Sequence, residues 1–162
     1  MGSCKIPKPR DPGAAIRAEV VELLFAYVDR LRHHFESVAA SHDLTPVQAK
    51  LILFLGEPEP MRHIADCLGC DPSNITGVVD RLEEREFVAR REDPADRRVK
   101  FLGLTAPGQK LRDALELNLF RNVPGMESLT RAQVADLRDA LASLCRPAQA
   151  ARDPAARLVA KR

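Results

Sequence analysis

Two short helical patterns joined by a tight, glycine-containing turn constrain this 162-residue chain more than any other feature of its sequence. Residues 61–68 carry apolar side chains on one face, and Gly69 follows as the residue type that ends helices in a left-handed conformation. Asp71 and Pro72 then predict the start of a second helix. The inward-facing stripe of that helix consists of Ile75, Val78, Val79 and Leu82. The pair is typical of a helix-turn-helix, although many other folds also contain packed helix pairs.

The segment after this pair predicts a β-hairpin. Residues 87–91 and 99–104 both have the composition of strands. The loop between them, residues 92–98, is polar and rich in turn-forming residues. Because a helix-turn-helix followed directly by such a hairpin is a winged helix, we assign a winged helix-turn-helix to residues 45–105.

Further helices are predicted on both sides of this unit. Apolar residues recur at spacings of three and four over residues 14–40, which predicts an amphipathic helix too long for one small domain to cover. Thr45 and Thr130 each open a helix with a capping box, and helices are expected over residues 106–146. We therefore expect a mainly α protein with about six helices and one small hairpin wing.

The two ends of the chain differ in composition from the domain expected at residues 14–146. Residues 1–13 are rich in proline and glycine, and residues 147–162 are rich in alanine, arginine and proline, so we expect a flexible arm and a flexible tail. No run of about 18 apolar residues predicts a membrane span. The first residues also lack the apolar segment of a secretory signal, so we expect a cytoplasmic protein without a membrane partner.

The helix pair and hairpin together resemble the multiple-antibiotic-resistance regulator (MarR) family. The most specific match is the hairpin motif DPADRR at residues 93–98, followed by LGLTAPG at residues 102–108. The run VDRLE at residues 79–83 is also similar to the recognition helix of that family. The resemblance covers roughly residues 15–146. One departure is Glu86, where the family usually has glycine; a left-handed backbone there would cost about 1 kcal/mol relative to glycine.

The resemblance implies a transcription regulator that dimerises through the helices of residues 14–40 and 106–146. It also implies that the dimer binds a pseudo-palindromic operator in double-stranded DNA and responds to a small effector, often an aromatic acid, that favours release of a repressor. No residue of the sequence identifies that effector or its pocket. The sequence contains no phosphate-binding glycine loop and no nucleophile elbow, so we expect no enzyme activity and no cofactor.

The outward face of the second short helix carries polar residues suited to the major groove of DNA. These candidate contacts are Ser73, Asn74, Thr76, Gly77 and Arg81. Ser73 and Thr76 can reach phosphates or base edges, Asn74 can pair with adenine, and Gly77 removes bulk. Arg81 is suited either to guanine or phosphate or to a structural ion pair with neighbouring acidic residues.

Two arginines predict a second DNA contact at the hairpin tip. Arg97 and Arg98 can enter the adjacent minor groove or hold phosphates. Residues 90–100 contain five basic and three acidic residues, so this short hairpin carries +2, as much as the net charge of the whole chain. The same pattern also fits an ordinary solvated hairpin, and the preceding helix pair favours the DNA interpretation.

Two other functions fit parts of the sequence. Asp80 and Glu84 on the recognition helix give slight support to a winged-helix protein-interaction module that does not bind DNA. Cys70 stands directly before that helix, which allows a cysteine-based redox-sensing regulator. The spacing of His63, Cys67 and Cys70 could suit a metal, but no fourth ligand is evident. Because Cys67 falls where the helix pair packs, we expect a buried thiol and no metal site.

Overall fold

The computed structural model describes residues 11–69, 72–92 and 100–145 of the chain, and it divides into two compact units. The elements of the first unit, Met1–Pro124, are α1 (Pro12–Ser41), α2 (Pro46–Phe54), β1 (Glu59–Pro60), α3 (Met61–Leu68), α4 (Pro72–Glu84), β2 (Val88–Glu92), β3 (Lys100–Leu104) and α5 (Ala106–Arg121). The second unit, Gly125–Arg162, contains a 3-10 turn (Met126–Ser128) and α6 (Arg131–Cys145). The predicted class, mainly α with a small β element, is confirmed within the described ranges. None of the helices in these ranges is long and apolar enough to cross a membrane.

Helix α1 begins earlier than the sequence predicted. The Asp11 carboxylate accepts a hydrogen bond from the Ala14 N–H at 2.6 Å, and Pro12 occupies the first turn, where its missing N–H costs nothing. Two residues that we assigned to the flexible arm therefore belong to the helix. The rest of that arm, residues 1–10, and the tail, residues 147–162, lie outside the described residues.

The predicted helix boundaries inside the chain are confirmed by their capping contacts. The Gln48 N–H donates to the Thr45 hydroxyl at 3.3 Å, and the Thr45 N–H donates back to the Gln48 side chain at 2.8 Å. Gly69 ends α3 with a φ of 61°. Thr130 and Gln133 form the same reciprocal pair at the start of α6. Sequence rules located these helix ends because their signals are local. Each capping box joins side chains three residues apart, and the left-handed end of α3 needs only one glycine.

In the described part of the chain, the sheet has three strands rather than the two that we predicted. Strand β3 lies in the middle and pairs antiparallel with both β1 and β2, with Val88 opposite Leu104. The additional strand β1 pairs Glu59 with Leu102. It contains only two residues, one of them a proline, so it has no periodic pattern by which the sequence could reveal it.

One apolar core connects the helices of the first unit to the sheet. The most deeply buried of its large side chains are Leu51, Ile52, Leu55, Ile64, Ile75, Val79, Leu82, Val88, Leu102 and Leu115. They come from α2, α3, α4, β2, β3 and α5. The predicted inward stripe of α4 is thus confirmed at three positions, while Val78 is only partly buried. The core therefore fixes which face of α4 remains in solvent.

The base of the hairpin lies directly against the start of α5. The Phe87 carbonyl accepts a hydrogen bond from the Thr105 N–H at 3.1 Å, and the Thr105 hydroxyl donates to the Glu86 carbonyl. A Cβ atom added to Gly108 would lie 1.9 Å from the Phe87 carbonyl oxygen. This close approach requires glycine at position 108, because any side chain would force the backbone of α5 away from the hairpin.

The turn that follows α4 contains Glu86, the position at which the sequence departs from the family that it resembles. Glu86 has a φ of 58°, so its backbone is left-handed. The Phe87 N–H donates to the Leu82 carbonyl at 3.0 Å, and the Glu86 N–H donates to the Glu83 carbonyl at 2.9 Å. The turn that glycine usually makes is therefore retained here with a side chain present, at a steric cost.

Replacing Glu86 by glycine should raise the free energy of unfolding by about 1 kcal/mol, because glycine adopts a positive φ without that steric cost. Chemical denaturation at one fixed protein concentration measures the change. Glu86→Ala is the matched control, since alanine removes the same carboxylate but keeps the Cβ atom. An equal gain in both variants would contradict the prediction and assign the effect to the carboxylate.

Candidate nucleic-acid interface

The predicted contact residues of α4 lie on its solvent side. Asn74, Thr76, Gly77 and Arg81 are all exposed, opposite the apolar stripe that packs into the core. Ser73 belongs to α4, and its side chain lies outside the described residues. The core and the helix therefore place small polar groups together on an outer surface, which is the arrangement that entry into a major groove requires.

Gly77 is not required by packing within the chain. A Cβ atom added there would meet nothing within 4 Å. Glycine inside a helix costs about 1 kcal/mol relative to alanine, so this position lowers stability without serving an internal contact. A close external surface would explain glycine here, since it lets a partner approach the helix backbone.

Arg81 makes no hydrogen bond or ion pair with any residue that the structure describes, so the structural ion pair that we considered is not seen there. The acidic residues beside it have another partner, which is Arg90 of β2. The Arg90 guanidinium bonds both Asp80 and Glu83, and the Arg90 N–H donates to the Glu83 carboxylate at 3.1 Å. Arg81 is thus left exposed, while the two carboxylates are bound to the sheet.

The Arg90 link also determines the charge of this surface. Partial burial by itself lowers the Arg90 pKa, but the hydrogen bonds and charges of Asp80 and Glu83 outweigh it and raise the pKa above its usual value. The guanidinium therefore stays charged and balances acidic groups that would repel phosphate. This removes part of the support for an interaction module, which depended on an acidic recognition face.

A cleft of about 700 Å³ lies beside the exposed face of α4. Its lining residues are Pro60, Met61, Arg62, Thr76, Asp80, Arg90 and Lys100. Three of them are cationic and one is anionic, and the anion is already paired with Arg90. The sequence analysis did not identify Arg62 as a candidate DNA contact. The one sequence feature that could have indicated it is a basic residue in the first turn of the helix that precedes α4.

The predicted hairpin arginines cannot be placed. Arg97 and Arg98 lie outside the described residues, and the last described pair of the hairpin joins Glu92 to Lys100. On the part that is described, Arg91 and Lys100 are both exposed. The described stem of the hairpin therefore carries three cations, Arg90, Arg91 and Lys100, and one carboxylate, Glu92.

The prediction for Cys67 was wrong. Its thiol is exposed, not buried in the helix pair, and it lies 3.2 Å from His63 Nε2. Residue 67 is on α3 but turned away from the side that carries Ile64 and Ala65 into the core. Within residues 11–69, 72–92 and 100–145, no three His, Cys, Asp or Glu side chains are arranged so that they could hold a metal ion, and Cys70 lies outside these ranges.

Comparison with known proteins identifies the family. The model of the MarR family matches residues 44–100. CouR from Rhodococcus jostii RHA1, crystallised with p-coumaroyl-CoA, is 31% identical with a TM-score of 0.61, and the match covers 79% of this chain and 92% of CouR. The chain belongs to the MarR family. This membership places it among transcription regulators rather than enzymes.

Two further relatives show how far the similarity extends. The transcriptional regulator MhqR from Bacillus subtilis (strain 168) is 31% identical over 80 residues, which is 48% of this MarR-family chain and 55% of MhqR. The chain thus matches only about half of the length of MhqR. Wild-type MarR from E. coli is 20% identical with a TM-score of 0.65, covering 76% of this chain and 93% of MarR, and this match shows the shared fold.

Gly77→Ala should raise the stability of the protein and weaken its binding to DNA. Alanine favours the helix by about 1 kcal/mol, whereas its methyl group would hinder close approach of a duplex. Thermal unfolding measures the first effect, and fluorescence anisotropy with a labelled duplex selected from a random pool measures the second. Gly13→Ala is the matched control. It makes the same substitution in a different helix, α1, where the added methyl group would make only ordinary contacts. Unchanged affinity of Gly77→Ala would contradict a groove contact.

Proposed function

We propose that this chain regulates transcription by binding an operator as a twofold dimer, with α4 in the major groove and the hairpin tip against the neighbouring minor groove or backbone. The observation that carries the proposal is the exposed face of α4, where Asn74, Thr76 and Gly77 present small groups above a rigid apolar core. Large or acidic side chains would hinder this fit, and of the carboxylates on α4 Arg90 binds Asp80 and Glu83, while Glu84 is exposed at the end of the helix.

The contacts divide into two kinds by their chemistry. Asn74 offers an amide that can bond both the N6 and N7 positions of adenine, and Arg81 offers a guanidinium to guanine or phosphate. Ser73 and Thr76 supply hydroxyl groups at the start of the helix. Gly77 allows the helix backbone to approach. These residues account for sequence preference, while phosphate contacts from other elements supply most of the affinity.

Phosphate contacts come from the cleft and the wing. Arg62 and Lys100 border the cleft beside α4 and are exposed, so both can meet a sugar-phosphate backbone that passes this surface. Arg97 and Arg98 stand between β2 and β3 in the sequence and would add two further positive charges to these contacts. The net charge of the whole chain is only +2, so the attraction to DNA is concentrated on this side of the winged helix.

Exposed apolar side chains support the dimer. Leu23 and Phe25 in α1 are 62% and 70% exposed, and Phe120 in α5 is 74% exposed. Val134 and Leu144 in α6 are also exposed. Large exposed apolar side chains on α1 and α5, and separately on α6 of the second unit, are what a dimer interface would use. A twofold dimer would cover them, double the number of DNA contacts, and read two half-sites about one helical turn apart, which explains a pseudo-palindromic operator.

A small effector would act through the same dimer helices. Tyr27 of α1 has a buried hydroxyl with no hydrogen-bond partner in the described part of the chain, which is costly unless a ligand or a second subunit supplies one. CouR was crystallised with an aromatic acyl thioester. We infer that an aromatic acid or its thioester binds here, and that it releases the repressor because it binds more tightly to a dimer whose half-site spacing does not fit the operator.

Replacing both Arg97 and Arg98 by alanine should weaken binding to specific and random duplexes alike. Removing two phosphate contacts per protomer should also make the negative slope of log K against log salt shallower, by about 2 to 4 per dimer. Anisotropy titrations at several salt concentrations measure both quantities. The control is Arg131→Ala with Arg138→Ala, which removes the same charge from α6. An unchanged slope in the hairpin variant would contradict the wing contact.

Phe120→Glu should convert the protein to monomers, because it puts a charge into the apolar interface. Sedimentation velocity measures the change in mass, and the apparent Kd for the selected duplex should rise at least about tenfold as paired half-site binding is lost. Ala106→Glu adds the same charge to an exposed position on the same helix and should leave the dimer intact. A Phe120→Glu protein that remains dimeric would exclude α5 from the interface.

A further inference from the structure

Strand β1 and helix α3 together carry a polar arrangement that the DNA-binding function does not use. His63 and Cys67 stand four residues apart on α3, which places them on one side of the helix, and Glu59 of β1 precedes His63 by four residues. His63 Nδ1 lies 2.7 Å from a Glu59 carboxylate oxygen, and His63 Nε2 lies 3.2 Å from Cys67 Sγ. The imidazole therefore connects a carboxylate to a thiol.

For an ionised carboxylate and a neutral imidazole, the directions of these hydrogen bonds follow from the available donors and acceptors. An ionised carboxylate can only accept, so His63 Nδ1 donates its proton to Glu59. In the neutral imidazole this leaves Nε2 as an acceptor, and the Cys67 thiol donates to it. The order of carboxylate, imidazole and nucleophile is the one by which proteins activate a nucleophile through a neighbouring base.

Two observations show that the imidazole is held and the thiol is accessible. The Phe54 ring of α2 meets the His63 ring edge-on, with ring centroids 5.8 Å apart and an interplanar angle of 67°, so it restricts the orientation of the imidazole. Cys67 is exposed, and the His63 side chain is 53% exposed. A reagent can therefore reach Sγ while Glu59 and Phe54 fix the base behind it.

We propose that Cys67 is a site of covalent modification by soft carbon electrophiles, namely α,β-unsaturated carbonyl compounds, with His63 as the base and Glu59 as a positioning residue. This site is separate from the DNA-contact residues of α4. Its place two residues before Gly69 puts an adduct within the helix pair that presents α4. The proposal does not depend on DNA binding.

The reaction balances with these groups alone. The Sγ–H bond of Cys67 breaks as its proton passes to His63 Nε2, and a new bond forms between Sγ and the β-carbon of the electrophile. The π electrons of the carbon–carbon double bond move to the α-carbon and its carbonyl group. Nε2 then returns the proton to the α-carbon, which leaves a saturated thioether on Cys67 and His63 in its original state.

Addition and oxidation make different demands on the groups around Cys67. A hydroperoxide would convert the thiol to a sulfenic acid, which is reversed through a second thiol. Among the described residues of the first unit, Cys67 is the one free cysteine, and Cys70 lies outside the described residues. Addition needs only the thiol and a group that removes and returns one proton, and His63 supplies both steps.

The test is the rate at which each cysteine of the reduced, full-length protein reacts with limiting N-ethylmaleimide, followed by peptide mass spectrometry. Cys145 is an internal reference, because it is exposed and has no imidazole bonded to it in the described part of the chain. We expect Cys67 to react at least about a hundredfold faster than Cys145, the lower end of the range that a positioned general base provides. Equal rates would overturn the proposal.

Three variants separate a base from a structural contact. His63→Ala should bring Cys67 to within about threefold of Cys145, and added imidazole should restore part of the rate because it replaces the missing base. Glu59→Gln should give an intermediate rate. His33→Gln is the matched control, since His33 is bonded to Asp29 on α1 in a similar way and has no cysteine partner.

The remaining outcomes also decide the proposal. An unchanged circular dichroism spectrum and Cys145 rate in His63→Ala would show that its loss of reactivity is not a loss of folding. A His63→Ala protein whose Cys67 reacts as fast as in the original chain would exclude the imidazole as the base. Rapid formation of sulfenic acid with hydrogen peroxide, without preferential addition of maleimide, would replace the electrophile with an oxidant and overturn the assignment.

Discussion

The guanidinium of Arg90 joins the recognition helix to the wing, and the geometry of the DNA-contact surface depends on this link. Arg90 belongs to β2, and its two terminal nitrogens bond Asp80 and Glu83, one turn apart on α4. Exposed ion pairs add only about 0 to 1 kcal/mol each, so the link matters more for orientation than for stability. The apolar core sets how deeply α4 lies, whereas this planar fork, together with the Arg90 N–H to Glu83, sets its angle to the sheet.

A second junction joins the wing to α5. The Phe87 carbonyl accepts from the Thr105 N–H, and Gly108 lets α5 pass so close that a Cβ atom would overlap that same oxygen. Since closely packed backbone cannot deform gradually, a shift of α5 must move the base of the hairpin with it. If α5 belongs to the dimer interface, this junction offers an effector between the subunits a direct mechanical route to the wing. Allosteric release then requires no more than a different dimer geometry.

Much of the fold could be predicted from the sequence because its signals are local. Thr45 and Gly69 mark helix ends within a few residues, and the strain at Glu86 followed from one missing glycine. The misses have a different origin. Strand β1 exists only because β3 passes beside it, and Cys67 faces solvent because of the way α3 rotates on the core. The positions of the candidate DNA contacts on α4 followed from helical periodicity, whereas the Arg90 link joins residues that are apart in sequence and needed the tertiary structure.

The small side chains of α4 also explain why a protein of this family would need both a wing and a partner subunit. Asn74 and Thr76 can distinguish bases, but each contributes only one or two hydrogen bonds, about 1 to 3 kcal/mol for a good bidentate pair. With a net charge of +2, the chain has no general attraction for DNA that could compensate. In the proposed complex, affinity would then come from a few well-placed cations, for which Arg62 and Lys100 are candidates, and from repetition of the whole surface by symmetry. A change in dimer geometry that disengages one half-site would consequently remove close to half of the binding contacts at once. Control through the dimer helices could therefore be steep without any effector contact to α4 itself.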